Sequence, residues 1–294
     1  MSARRSDSKS TRIMYETFYG LKEKPFELLP DPAYLYLSQG HRAALTLLRY
    51  SIASRQAFSV VTGEVGSGKT TLINRVLGEL KADTTIGLMS YTHQQSSDMA
   101  EWVMMAFGLD YRNKTKAELY DDLVSFLINQ YAQDRQTILI VDEAQHMQVD
   151  GLEDIRMLSN VNAKKEYLLH LILVGQPELR DLLQCNSLRQ LTQRVSAAYH
   201  LGALSDDESQ EYIGYRLKVS GAQAEIFSPE AKRLVAEASS GIPRVINTIC
   251  DFALVYGYSE QKKVIDAEIV KAVLLDRREM GLLGDPPVTD AGTA

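Results

Sequence analysis

The sequence predicts an α/β fold, a parallel sheet flanked by helices, followed by a small all-helical domain. Three observations carry that reading. Strand-like and helix-like patterns alternate from residue 58 to residue 201. Two of the strand runs, 137–141 and 169–174, are almost entirely aliphatic, and after residue 203 the strand patterns stop. Alternation at this spacing calls for crossover helices, and a strand apolar on both faces belongs inside a parallel sheet covered on both sides.

In chain order, residues 15–37 mix aromatics with Pro25, Pro30 and Pro32. Prolines forbid a long helix while the rings demand burial, which predicts an ordered irregular strap against the core. Ser38 caps a helix with Ala44, Leu45, Leu48 and Ile52 on one side. Residues 58–62 form the first strand, 69–80 a helix and 86–92 the second strand, with helices over 98–107 and 116–132. The third strand is 137–141, followed by a helix over 152–161 and the fourth strand at 169–174. Short helices at 178–183 and 188–194 lead to a fifth strand at 198–201. Beyond it, Ser205 and Glu208 fit a capping box for a helix to Val219, and Ser228-Pro229-Glu230 supplies a cap and an N1 proline for 231–238. Residues 242–258 are helical in pattern, and Asp266 caps a last helix to Asp276. The expected organisation is a basic tail over 1–14 (Arg4, Arg5, Lys9, Arg12), an α/β domain over 15–203, a helical domain over 204–276 and a frayed tail over 277–294.

Composition narrows the function classes. With 45% apolar residues the chain has ample core material, and 32 basic against 38 acidic residues, a net −6, argues against a surface coated for nucleic acid. Cys185 and Cys250 stand far apart, which argues against a disulfide scaffold or a cysteine-rich zinc site and fits a reducing cytoplasm. His93, His146, His170 and His200 lack metal-ligand spacing. Trp102, Met104 and Met105 read as a core-facing helical patch. No apolar run approaches the roughly 20 residues of a spanning helix, and the basic start lacks the apolar run of a secretory signal. A cytoplasmic protein is expected.

The chemistry lies in two motifs. Gly63-Glu64-Val65-Gly66-Ser67-Gly68-Lys69-Thr70 matches G-x-x-x-x-G-K-[ST], with a strand before it and a helix starting inside it. Glycines permit a tight loop whose N–H groups face phosphates, aided by the helix terminus. Lys69 is expected on the β- and γ-phosphates of ATP, Thr70 on Mg²⁺, and Thr71 completes the contact set. The second motif is the strand end Ile138-Leu-Ile-Val-Asp142-Glu143. Asp142 is expected to hold Mg²⁺, largely through water, and Glu143 to orient and activate the attacking water, both leaving the carboxyl end of a strand where open sheets bind ligands.

Several stretches together resemble the AAA+ ATPases and, more narrowly, the general secretion pathway protein A/ExeA type. They are Phe18-Tyr-Gly-Leu21, Pro25-Phe26, Pro30-Asp-Pro32, His41, Gly63 to Thr70, Asp142-Glu-Ala-Gln145, Val174-Gly-Gln-Pro-Glu-Leu179, Leu188-Arg-Gln-Leu191 with Gln193-Arg194, and Gly241-Ile-Pro-Arg-Val-Ile-Asn247. The resemblance covers residues 15 to 276; similar ATPases serve MSHA-type pilus and exopolysaccharide loci, and transposition regulators of the TnsC and MuB type are more distant kin. It implies a P-loop core with a helical lid, Gln176 at the sensor-1 place, although Asn, Ser or Thr is commoner there, and Arg244 as sensor 2. His41 is implied near the adenine, with a helix-surface histidine as the alternative. Arg189 and Arg194 both qualify as an arginine finger reaching a neighbouring subunit, with Arg194 favoured because it immediately precedes the fifth strand. A ring or helical homo-oligomer, hexamer-like in arrangement, follows.

The resemblance further implies that the ATPase powers or regulates assembly of a bacterial envelope machine for secretion, pili or polysaccharide export, with a protein partner. Members of that type often continue into a membrane helix and a peptidoglycan-binding region; this sequence carries neither, so anchoring is expected to need the partner. The alternative is an ATP-dependent regulator polymerising on duplex DNA, with Lys81, Arg112, Lys114, Lys116, Lys164 and Lys165 as phosphate contacts. A third reading is a slow nucleotide-switch adaptor.

Overall fold

Five parallel strands ending at one edge organise the first of two structural units. The computed structural model describes residues 15–80, 83–90, 99–163 and 166–282. Its strands are β1 (Phe58–Gly63), β2 (Thr84–Ser90), β3 (Gln136–Asp142), a short antiparallel pair β4 (Asn162–Ala163) and β5 (Glu166–Tyr167), then β6 (Leu169–Gly175) and β7 (Val195–Leu201). The longer five form one sheet in the order β2-β3-β6-β1-β7, every neighbouring pair parallel. Helices follow the chain as α1 (Glu16–Tyr19), α2 (Gln39–Ala53), α3 (Lys69–Glu79), α4 (Met99–Ala106), α5 (Lys116–Ala132), α6 (Val149–Leu158), α7 (Glu178–Leu183) and α8 (Arg189–Thr192). Four more close the chain: α9 (Asp206–Val219), α10 (Pro229–Ser239), α11 (Pro243–Ser259) and α12 (Ala267–Glu279).

The first unit spans Leu37–Gly202. On one face of the sheet, Val61, Ile140 and Val174 pack against Leu45 and Leu48 of α2 and Leu72 and Val76 of α3. On the other, Phe58, Val60, Leu139, Val141, Leu171 and Leu173 meet α4 to α8 through side chains such as Met104, Leu123, Ile155 and Leu179. Each fully buried aliphatic side chain contributes roughly 2 kcal/mol. β1 and β6 are buried along their whole length because both faces are covered, whereas edge strand β2 alternates and leaves Leu88 62% exposed. In the helical patch of α4, Val103 and Met104 are buried while Met105 points outward.

Boundaries shift where local cues compete. The second strand starts two residues before the expected Ile86, and residues 91–98, including the expected strand end and His93, lie outside the described residues. The helix expected over 152–161 is α6, three residues earlier; Gln148 is its cap, and the chain then turns into β4 and β5, too short to carry a periodic signal. The fifth strand begins at Val195 rather than Ala198.

A polar chain crosses the otherwise apolar middle. His170 Nδ1 lies 2.5 Å from the Gln56 carbonyl oxygen and Nε2 lies 3.2 Å from Ser59 Oγ; Ser59 bonds Ser51 (2.7 Å), and Ser51 bonds Ser196 (3.0 Å). The carbonyl contact requires the proton on Nδ1 of a neutral ring.

The second unit combines the segment ending at Tyr36 with the segment starting at Ala203. α9 to α12 enclose Ile213, Val235, Ile249, Ala253 and Val270, and Tyr15, Leu21 and Phe26 of the N-terminal strap belong to the same core. This corrects the expectation that residues 15–36 belong to the α/β domain: the strap's rings are buried among the helices of this unit. Arg216 fastens it, donating to the Pro25 (2.5 Å) and Glu27 (3.3 Å) carbonyls while its guanidinium lies 4.6 Å from the Tyr34 ring centroid. Ser205 and Glu208 form the capping box of α9, each side chain accepting the other's backbone N–H at 3.2 Å. Among the described residues, no helix is long and apolar enough to cross a membrane.

Burial pushes His170 down to about 4, the Gln56 carbonyl offsetting only part of it. The folded ring stays neutral while an unfolded one takes a proton below its ordinary 6.5, so this stability is complete above that value and is lost as pH falls towards 4. Urea unfolding of the wild type is expected to lose roughly 2–3 kcal/mol more than a His170→Gln variant over that window. Parallel curves for the two proteins would show that the ring protonates without unfolding.

Candidate nucleotide site at the carboxyl edge of the sheet

The site is assembled by three adjacent strand ends. β6 lies between β1 and β3, so the loop after β1, the acidic pair after β3 and Gln176 after β6 emerge side by side. This is the edge at which parallel sheets bind ligands.

The loop after β1 is shaped by glycines in different ways. Gly66 and Gly68 hold φ of 81° and 98°, a left-handed region that L side chains avoid. Gly63 is needed for space: a Cβ there would stand 2.4 Å from the Leu201 carbonyl oxygen of neighbouring β7 and 2.8 Å from Ser67 Oγ. Gly68 precedes α3, which starts at Lys69 and directs its N-terminus at the loop. Lys69 Nζ donates to the carbonyls of Gly63 (2.7 Å) and Glu64 (3.0 Å). Burial lowers its pKa, against the pull of Glu143, Asp142, Glu64 and Glu178. Thr70 is exposed in the first turn of α3, Thr71 follows it half-buried, and Val65 is exposed at the loop tip.

His41 lies beneath this loop. Ser38 caps α2, accepting the His41 N–H at 3.2 Å, and its Oγ sits 2.7 Å from His41 Nδ1. The imidazole is buried, and its Nε2 lies 3.0 Å from where a Cβ on Gly68 would be. The helix-surface alternative for His41 is thereby corrected; the ring supports the backbone at Gly68.

At the end of β3, burial raises the Asp142 pKa, helped by the neighbouring Glu143 charge and opposed by the Glu143 N–H and Lys69. Its Oδ1 accepts that N–H at 2.9 Å. Glu143 adopts φ 55°, which turns the chain sharply into a short 3₁₀ turn over Ala144–His146. Burial acts to raise the Glu143 pKa, but amide donors from Gln145 and Gln176, with Lys69 and His146, bring it below its ordinary value. Gln145 Nε2 donates to Glu143 Oε2 at 2.6 Å and Gln176 Nε2 to the same oxygen at 3.3 Å. Gln145 Oε1 accepts the Gln176 backbone N–H at 3.0 Å.

Lys69, Asp142, Glu143 and Gln176 are therefore brought together, and Gln145 joins them although sequence reasoning assigned it no role. Its signal was present in the Asp-Glu-Ala-Gln run. The arginine candidates are placed differently. Arg189 is exposed on α8, while Arg194, half-buried before β7, donates through Nη1 to Asn160 Oδ1. Arg244 is exposed at the second position of α11 in the helical unit. Ser67 Oγ is buried without a hydrogen-bond partner among the described residues, in a loop that runs straight into a helix N-terminus. An unsatisfied donor there, a lysine ammonium and a hydroxyl–carboxylate pair of hard oxygens fit a polyphosphate with a small divalent cation.

Comparison with known proteins follows the same lines. A protein-family profile described as AAA domain matches residues 52–183. General secretion pathway protein A of Aeromonas hydrophila is 38% identical over 258 residues, 87% of this chain and 47% of its own length. The chain thus spans about half of that relative. Among solved structures, the Aeropyrum pernix ORC2 protein in its ADPNP-ADP complexes superposes with a TM-score of 0.64 at 14% identity, covering 90% of this chain and 75% of that one. Drosophila ORC bound to DNA gives 0.63 at 17% identity over 95% and 70%. The Thermotoga maritima RuvB branch migration motor gives 0.51 at 17% over 81% and 69%. At these identities the structures speak to fold. Sheet order, motif positions and sequence match together give the chain the AAA+ P-loop fold, and over the matched stretch it is similar to general secretion pathway protein A.

Proposed function

We propose that this chain binds ATP with Mg²⁺ at the loop after β1, hydrolyses it to ADP and phosphate, and does so as a homo-oligomer that drives assembly of a bacterial envelope machine. The observation that carries hydrolysis is the meeting of Lys69, Asp142, Glu143 and Gln176 at three adjacent strand ends. Loop N–H groups and Lys69 bind the phosphates; Thr70 and Asp142 hold the cation, whose charge, when bound, offsets charge developing on the phosphoryl oxygens. Glu143, kept ionised by its amide donors, accepts a proton from the attacking water. Gln176 helps fix that carboxylate. Arg189 or Arg194 supplies a positive charge to a neighbouring subunit's site. Arg189 is exposed, whereas Arg194 would have to release Asn160 to reach across.

The process assignment rests on likeness to the Aeromonas hydrophila protein. Of the residues named for contact with duplex DNA, Arg112, Lys114 and Lys116 fall among the described residues. Lys114 is already paired with Asp122 at 2.7 Å, and Lys81, Lys164 and Lys165 lie outside the described residues.

Three sets of measurements test the reading. Gly63→Ala places a methyl group against the fixed Leu201 carbonyl and is expected to cost about 1–3 kcal/mol of stability and at least tenfold in affinity for a fluorescent ATP analogue. Unchanged affinity would put the phosphates elsewhere. Glu143→Gln is expected to bind ATP normally and turn it over roughly a hundredfold or more slowly in a phosphate-release assay. The mass of that variant with Mg-ATP reads the partner: a defined assembly without DNA supports the envelope reading, and assemblies requiring duplex DNA support the regulator. Alone, the variant that lacks the finger, Arg189→Ala or Arg194→Ala, is expected to assemble without turning over ATP. Mixed with Glu143→Gln subunits it is expected to regain turnover, because the neighbour then lends its arginine to a site with an intact base. Full turnover by either assembled arginine variant alone removes that residue from the role.

A further inference from the structure

Glu143 is a flexible side chain with three rotatable bonds, on a backbone held in the left-handed region at φ 55°. A general base placed this way loses its advantage unless something fixes its carboxylate, because misplacement by about 1 Å costs on the order of a hundredfold. Gln176 is a weak restraint at 3.3 Å. The short bond comes from Gln145, two residues along the same 3₁₀ turn, at 2.6 Å. The other end of that amide is not idle: Oε1 accepts the Gln176 N–H at 3.0 Å, which ties the turn to the end of β6. Gly175 makes the arrangement sterically feasible, since a Cβ there would stand 2.9 Å from Gln145 Oε1. Ala144, fully buried, anchors the turn between the two bonded residues. Among the described residues, the hydrogen bonds that reach the Glu143 carboxylate fall on Oε2. Oε1 is thereby left to meet water.

We propose that Gln145 is a positioning residue for ATP hydrolysis: its amide bridges the Glu143 carboxylate to the β6 terminus and selects Oε1 of Glu143 as the oxygen that receives the proton. The inference rests on the reading of Glu143 as the base. It also gives the turn a second duty, because any ligand that moves the backbone at Gln176 moves the amide that holds the base.

Two substitutions separate the two bonds. Gln145→Glu keeps an oxygen to accept the Gln176 N–H but removes the donor to Glu143 and sets two carboxylates against each other; Gln145→Leu removes both bonds. In the full chain with Mg-ATP, both variants are expected to lose at least tenfold in kcat, with KM for ATP and the affinity for a fluorescent ATP analogue within twofold of wild type. A second readout needs neither nucleotide nor turnover. The Gln145 side-chain amide signal in a ¹⁵N spectrum, identified by its loss in Gln145→Glu, is expected to move when Glu143→Ala removes the acceptor. Wild-type kcat in Gln145→Glu, or a Gln145 amide signal indifferent to Glu143→Ala, overturns the proposal while leaving the hydrolysis reading intact. Equal turnover by wild type and Glu143→Gln overturns both. Loss of kcat together with a matching loss of nucleotide affinity would reduce Gln145 to a structural support and also overturn it.

Discussion

A lysine ammonium drawn partly out of water is the constraint on which the site depends. Lys69 sits where burial disfavours its charge, and two carbonyls of its own loop accept its protons. Such a charge is eased by anionic company. Asp142 and Glu143 supply it from β3, and the sheet order makes this possible: β6 alone separates β3 from β1. The same order buries the central strands on both faces, so apart from Ser59, Thr62, Thr137 and His170 their interiors are apolar. They carry no functional side chain until their last residues, and every preceding residue serves to hold the ends level.

The two carboxylates share a neighbourhood but are shifted in opposite directions. Burial raises the pKa of Asp142, which an ion would reverse, while donated amides keep Glu143 below its ordinary value. Divergent environments for adjacent acids suit them to different roles, the proposed ones being cation ligand for Asp142 and base for Glu143. The difference arises less from the loop than from a turn, Glu143 to Gln145, that folds back on itself and recruits the end of β6. A carboxylate held by two amides is preorganised at the expense of a left-handed residue, about 1–3 kcal/mol of local strain. The packing of Ala144 and Met147 in the core beneath it sustains that turn.

The sheet and its nucleotide loop were legible because long buried strands and a glycine-spaced motif impose composition directly. Thr137 to Val141 reads as a two-sided strand in any context, and Gly63 and Gly68 mark places where no other residue fits. Elements shorter than a period left no such trace. β4 and β5 have two residues each, and α6 was displaced because its first turn, Val149-Asp-Gly, presents little apolar periodicity. Gln145 escaped for another reason. A glutamine on a turn is ordinarily solvated, and the Asp-Glu-Ala-Gln run marks the turn without showing that its amide spans to the end of β6. His41 was noticed through resemblance, but its burial against Gly68 depends on contact between residues 27 positions apart in sequence.

The strap shows how a small core settles its own membership. Four helices over residues 206–279 form a unit of a size at which hydrophobic burial alone is marginal. Tyr15, Leu21 and Phe26 add large apolar area at little helical cost, Phe26 meeting Phe227 edge-on at 6.1 Å. The prolines that prevent this segment from forming a long helix also leave carbonyls without intrahelical partners, and Arg216 takes up those of Pro25 and Glu27. Among the described residues, the buried guanidinium is satisfied by backbone oxygens and the Tyr34 ring rather than by a carboxylate, so the strap is held by geometry as much as by apolar contact. The aromatic–proline stretch that read as a general covering for the core is therefore specific to the helical unit: its rings complete that unit's interior, and its irregular backbone satisfies the arginine buried there.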